Sequence, residues 1–497
     1  IPVVTAQNGP AATLLVPGLA ECLSASIPIV AIVQDISQAN RDRNGFQELD
    51  QLALFQGVAK WIKRIPTADR VEDYVDMAFT AAGSGRPGPA VLLCPQDLLA
   101  KRTPYAADKR SASLGHYPLD RIVANPDSIA AAARLLAEAK RPVIYAGGGV
   151  IGSRAQAELR ELQDVGHLPV ATSTMGKGAV DESHPLSIGV IGYYMATRGK
   201  TKFAKPLIED ADVVLLIGNR TNQNGTDSWS LLPKGARYIH LDIDPIEIGR
   251  NYEALRLLGD AKASLPMLTD ALRQQDLSAR KSGRATVEKQ IAKSRLQHQD
   301  EVLDVVTSDA SPIRPERIMA ELEKVLTPTS MVVSDASFSS IWTSNYLQAN
   351  GERRFITPRG QAGLPLAMGA KLAAPDRAVF AVVGDGGFAH VWSELETANR
   401  HGIKVITMVL NNQILGYQLH AEEAGIGAHT NVCEFTPVDH AAIAEACGVK
   451  GLRVERADQI AQALLEALEC DGSVVLDCMV DPDAMPPVPV FTRLAAY

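Results

Sequence analysis

The chain has 497 residues, which at about 150 residues per domain suggests roughly three domains. Hydrophobic residues make up 46% and charged residues 21%, the balance of a soluble globular protein. Basic side chains number 49 and acidic ones 57, a net charge of −8; with no basic block, nucleic acid is excluded as the main partner, and no apolar run is long enough to span a membrane.

Strand-like and helix-like segments alternate along most of the chain, which predicts parallel sheets with helices on both faces. Residues 2–6, 29–33 and 90–93 read as strands, and 12–24 as a helix. The chain opens inside an apolar, strand-like run with no basic leader or cleavage site, so a preceding segment of the domain is expected. Residues 101–120 are polar and aperiodic and read as a linker. RPVIYAGGG, LPVATS, ADVVLLIG and RYIHLDIDP supply strands of a second unit, and 277–300 reads as an exposed helix leading into a second linker. SMVVSDA, AVFAVVGDGG, KVITMVLNN and SVVLDCMV supply strands of a third unit, beginning near Pro312. The six cysteines are scattered without CxxC spacing, which suggests neither a zinc site nor a disulfide framework and fits a reducing cytoplasm.

The segment from Ala378 to Tyr417 carries the most chemistry. A buried strand ends in Gly384-Asp385-Gly386-Gly387; a helix follows, and a second buried strand ends in Asn411-Asn412. Ligands of open parallel sheets bind at the carboxyl ends of strands, so both clusters can meet around one ligand. A carboxylate oxygen from Asp385 and an amide oxygen from Asn412 are hard donors suited to Mg²⁺. The glycines allow close approach of a diphosphate, and the helix after Gly387 can direct its N-terminus at negative charge. Alone, GDGG is an ordinary strand-to-helix turn. The 27-residue separation of Asp385 and Asn412, with strand, helix and strand in order, makes it more than that.

This pairing resembles the thiamin-diphosphate-binding motif, and the resemblance extends over most of the chain. TAQNGPAATLL, GFQELD, GRPGPAVLLCPQD, RPVIYAGGG, GNR, HLDIDPIEIGRN and GLPLAMGAKLAAP are similar, in order, to segments of thiamin-diphosphate (ThDP)-dependent acetolactate synthases and 2-oxoacid decarboxylases. The resemblance implies an α/β architecture of three doubly wound, mainly parallel domains: pyrimidine-binding (1–105, incomplete at its N-terminus), central (120–300) and diphosphate-binding (310–497). It implies ThDP and Mg²⁺ as cofactors and 2-oxoacids or aldehydes as substrates. The reaction is carboligation in the synthase branch, and aldehyde release in the decarboxylase and 2-hydroxyacyl-CoA lyase branches.

Residue by residue, the resemblance implies Asp385, Asn412 and the carbonyl of Ile414 as Mg²⁺ ligands. Gly384, Gly386, Gly387, Leu415 and Gly416 would lie along the cofactor. SDASFSS suggests Ala336, Ser337, Phe338 and Ser339 as a second diphosphate turn, or simply a Ser-capped connection. Gly9, Phe46, Gly360 and Gln361 would contact the cofactor elsewhere, with Phe46 equally readable as core. Gln47, Tyr417 and His420 would face substrate, His420 reading equally as part of a solvated helix face; Lys60 is a site residue or a plain surface lysine. The family's bulky wedge aligns with Gly360, which cannot wedge, so Leu364 is the alternative. The family's catalytic glutamate precedes Gly9, and residues 1–8 hold no acid, so that glutamate is expected upstream of Ile1; a non-catalytic ThDP-binding relative is the alternative. The central domain would bind FAD, ADP or nothing. A homodimer or homotetramer is implied, with each active site at a subunit interface.

Overall fold

The computed structural model describes residues 1–102, 113–350, 352–360 and 363–488. The chain forms two compact units, residues 1–122 and 123–497, the second holding two sheets.

In the first unit β1 (Val3–Ala6), β2 (Ile29–Asp35), β3 (Trp61–Arg64) and β4 (Pro89–Pro95) form a parallel sheet in the order β1-β2-β4-β3. β4 is buried along its whole length, as expected for a central parallel strand covered on both faces. The helix expected over 12–24 is two helices, Pro10–Thr13 and Val16–Ala25. Pro17 explains the break: it lacks the N–H that a continuous helix needs, yet fits the first turn of a new one.

The second sheet comprises β5 (Pro142–Ala146), β6 (Val170–Thr172), β7 (Ser187–Val190), β8 (Val213–Ile217), β9 (Arg237–Asp242) and β10 (Ala254–Leu258). Its order, β10-β9-β8-β5-β6-β7, is doubly wound and all parallel. The third sheet comprises β11 (Met331–Ser334), β12 (Arg354–Ile356), β13 (Val379–Gly384), β14 (Ile406–Asn411), β15 (Lys450–Val454) and β16 (Val474–Met479). Its order is β12-β11-β13-β14-β16-β15, again all parallel. Apolar cores flank both sheets. No described helix is long and apolar enough to cross a membrane.

The expected exposed helix near 277–300 is a 29-residue helix, Ser278–Val306, and it is not merely exposed. Ile291, Val302 and Val305 are buried, and Ile291 joins Val143 and Ile188 of the second sheet in one core. Two arginines staple the helix down. Arg280 donates to the carbonyls of Leu136, Ala139 and Gly166. Arg295 donates to those of Glu182 (2.8 Å), His184 (2.9 Å) and Ser187 (2.6 Å).

A buried clasp links the second and third sheets. The Glu182 carboxylate accepts from Lys177 Nζ (2.8 Å), Lys200 Nζ (2.7 Å) and the Ala349 N–H (3.3 Å). Lys177 Nζ also donates to the Ser344 carbonyl at 3.1 Å. Burial draws the Lys177 ammonium down to about 8, against the attraction of Glu182. Burial also disfavours the Glu182 carboxylate, but Lys177 and Lys200 together win and hold it at about 2.

Candidate functional site

Three adjacent strands of the third sheet, β11, β13 and β14, end in polar loops on the same edge. Register pairs Gly384 with Leu410, which brings Asp385 level with Asn411. Asp385 Oδ1 accepts from the Gly386 N–H (2.8 Å), and Oδ2 accepts from the Gln413 N–H (2.7 Å). The second bond ties the two loops together and holds Gln413 in the left-handed region, φ 61°. Asn412 Oδ1 accepts a long bond from the Ile414 N–H, 3.3 Å. Burial pushes the Asp385 carboxyl up to about 6, and nearby Asp477 adds to the rise.

The remaining loop residues close around these. A Cβ on Gly416 would lie 3.2 Å from the Phe338 ring and 3.3 Å from Asn412 Nδ2, so these three residues meet. A Cβ on Gly386 would lie 2.8 Å from Leu415. Ser337, at φ 72°, turns the chain into the helix Phe338–Tyr346, and Ser340 Oγ bonds back to its carbonyl at 2.7 Å. Ser339 is buried, its Oγ 3.9 Å from where a Gly384 side chain would begin.

Among the described residues no group of three or more His, Cys, Asp or Glu side chains is arranged to hold a metal. A cation here would therefore rest on one carboxylate plus amide and backbone oxygens. Asp385, Asn412 and Ile414 offer that all-oxygen set, and it fits Mg²⁺, which completes its shell with phosphate oxygens and water.

Tyr417 and His420 lie on the helix Gly416–Ile426 against Phe338, Tyr417 edge-on at 5.7 Å and His420 stacked at 5.9 Å. The solvated-face reading of His420 fails: its side chain is 13% exposed, and Nε2 is buried without a hydrogen-bond partner. Burial lowers its pKa, against the pull of Glu423 and Asp483. Gly360 is exposed, and Gln361 lies outside the described residues. Leu364 is 1% exposed and packs in the core beside β11 and β13, so it is not available as the wedge.

Two buried carboxylates were not singled out by the sequence reading. Asp335, just past β11, accepts from the Gly363 and Gly384 N–H groups, the latter at 3.1 Å. Asp477, within β16, accepts from Asn411 Nδ2 (2.9 Å), Arg453 Nη1 (2.8 Å) and the His440 N–H (3.1 Å). The available signal was an acid inside or ending an apolar run, SMVVSD and SVVLD, since a buried charge needs partners.

In the first unit, Gly9 (φ 65°) lies against Gln47; a Cβ there would be 2.8 Å from Gln47 Cβ. Gln47 is itself left-handed at φ 57°, and its Oε1 is buried without a partner. Phe46 is 87% exposed, which overturns its reading as core. Lys60 Nζ donates to the carbonyls of Ala81 (2.5 Å) and Ser84 (2.6 Å), a structural tether. In the second sheet, a Cβ on Gly149 would lie 2.6 Å from Gly218 Cα, so the Gly147–Gly149 turn is explained by backbone packing. Burial pushes Asp242, at the end of β9, up to about 6.

Comparison with known proteins agrees with this arrangement. Residues 1–54 match the thiamine pyrophosphate enzyme N-terminal TPP binding domain, 129–268 the central domain and 335–478 the C-terminal TPP binding domain. The chain belongs to the thiamine pyrophosphate enzyme family. Within it, the chain is 31% identical over 495 residues to the "probable acetolactate synthase large subunit" of Methanococcus aeolicus, covering 96% of this chain and 81% of the relative. It is 32% identical over 508 residues to the protein so described in Methanocaldococcus jannaschii, covering 99% and 83%. It is 30% identical over 498 residues to the acetolactate synthase of Arthrospira platensis, covering 98% and 84%.

Proposed function

We propose that this enzyme catalyses ThDP- and Mg²⁺-dependent decarboxylation and carboligation of 2-oxoacids, as an acetolactate synthase does. The observation that carries this reading is the bond from the Gln413 N–H to Asp385, which joins the GDGG and NN loops around one set of oxygen donors. In this reading Asp385, Asn412 and the Ile414 carbonyl hold Mg²⁺. Gly384, Gly386, Gly387, Leu415, Gly416 and Ala336 to Ser339 receive the diphosphate, and Gly9, Phe46, Gly360 and Gln361 contact the cofactor elsewhere. Bound ThDP supplies the electron sink for loss of CO₂. The chain's own part is to orient and to manage protons. The Gln47 amide binds the carbonyl or carboxylate of a 2-oxoacid, and its unpaired Oε1 supports that role. His420, with Nε2 buried and unpaired, exchanges a proton with the reacting oxygen, and Tyr417 flanks it.

The three domains of this reading span 1–105, 120–300 and 310–497. The active assembly is a homodimer or homotetramer in which one protomer's Gly9–Gln47 surface serves its partner's Asp385–Asn412 loops; sedimentation gives the stoichiometry. All six cysteines are free thiols, which supports a cytoplasmic setting. For the central sheet, Arg220 and buried Asp242 at the strand ends support a nucleotide. FAD would show as flavin absorbance of the purified protein, and colourless protein leaves ADP or no ligand.

The full-length protein, incubated with pyruvate, ThDP and Mg²⁺, tests the activity. Acetolactate as product supports the proposal. Aldehyde alone replaces it with a decarboxylase or lyase, and ThDP binding without turnover replaces it with a non-catalytic relative.

A further inference from the structure

The diphosphate loops are joined beneath by one carboxylate. Asp335 is 4% exposed and leaves β11 beside β13. Its Oδ1 accepts from the N–H of Gly363, the first residue of the helix Gly363–Ala373, so a side chain distant in sequence caps that helix. Its Oδ2 accepts from the N–H of Gly384, the residue before Asp385. The fit is tight on every side. A Cβ on Gly387 would fall inside the van der Waals surface of Oδ2, and one on Gly363 would lie 3.0 Å from the Ser334 carbonyl. One side chain therefore sets the relative positions of the ends of β11 and β13 and of a helix N-terminus.

On the reading of the site given above, we infer that Asp335 is a positioning residue for the Mg²⁺–ThDP cradle, fixing the Val383–Gly384 peptide so that Asp385, the next residue, presents its carboxylate toward the Asn412 loop. Asp335 touches neither metal nor cofactor; it acts through Gly384 and Gly363. Its two oxygens face two donors. An amide at 335 would keep one acceptor and turn an NH₂ toward the other N–H, releasing one loop. Groups that orient metal ligands typically contribute 10–100-fold in metal affinity.

The test is calorimetry of Mg²⁺–ThDP binding to the full-length wild type and to Asp335→Asn, with the melting temperature of each cofactor-free protein and a ThDP titration of activity alongside. The expected result is cofactor affinity lowered about 10–100-fold. Half-saturating ThDP should rise in step, while kcat at saturating cofactor stays within about threefold, since the reacting groups are untouched. A merely structural role would lower the melting temperature without that split. Asp335→Ser, which keeps one small acceptor, is the second variant if the amide does not fold. Failure of both to fold would make Asp335 a folding residue and overturn the inference. Wild-type affinity in Asp335→Asn would overturn it and leave the proposed function standing. No Mg²⁺–ThDP binding by the wild type would overturn both.

Discussion

Removing Glu182 should cost far more than the intact clasp contributes. Burial lowers the Lys177 value, and Lys177 and Lys200 together hold the Glu182 value low. The signs oppose at pH 7: burial penalises the ammonium, and pairing stabilises the carboxylate. The two effects offset, and buried ion pairs often contribute little net stability. Glu182→Ala removes the favourable half and leaves a buried ammonium with the Ser344 carbonyl and the Phe355 ring but no carboxylate bond. The expected loss is about 3–5 kcal/mol. Urea unfolding followed by fluorescence of Trp342, which is buried in the helix that supplies Ser344, reads it out. The double variant Lys177→Met/Glu182→Leu removes the buried pair and should recover most of that loss; the residual cost, about 1–3 kcal/mol, comes from the Ala349 N–H, the Ser344 carbonyl and the Lys200 ammonium, which lose these partners. A single variant within about 1 kcal/mol of wild type, or a double variant less stable than the single, would refute the reasoning.

If Asp385 holds the cation as proposed, Asp385→Ala should reduce Mg²⁺-dependent ThDP affinity by at least about 100-fold by calorimetry. The pH dependence follows from the raised value of Asp385, about 6 in the metal-free protein. Protons compete with the cation below that value, so affinity should be flat above pH 7 and fall toward about tenfold per unit below pH 6; titrations between pH 5 and 8 check this. Gln47→Leu should leave the melting temperature unchanged or raised, since it removes a buried unpaired oxygen, while kcat/KM falls about tenfold or more. Arg280→Met should destabilise by about 1–3 kcal/mol in urea, because buried carbonyls at the ends of two helices lose their donor.

The fold was legible where strands are buried on both faces. All five strands that the sequence reading missed, β3, β7, β10, β12 and β15, are sheet edges. Four of them, WIKR, ALRLL, RFI and KGLRV, carry Lys or Arg, and the fifth, SIGV, is four residues long with a glycine at φ 107°. Interior parallel strands give continuous apolar runs; edges need not, since one side meets solvent or a loop. The meeting of the Asp385 and Asn412 loops was legible because a fixed spacing and strand order place them on one sheet edge. Asp335 and Asp477 were not, because their roles depend on neighbours from separate strands, Gly384 and Asn411 among them. The wedge was not legible, because Gly360 has no side chain and the nearby Leu364 packs in the core.

The stapled helix Ser278–Val306 also sets a timetable for synthesis. β7 leaves the ribosome 101 residues before Ile291, and at 5–20 residues per second that is a wait of roughly 5–20 s. Throughout it, Ile188 and Val143 have no Ile291 to cover them, and Arg295 does not yet exist to take up the carbonyls before β7. The nascent chain thus leaves apolar side chains on one face of this sheet without their helix for that interval.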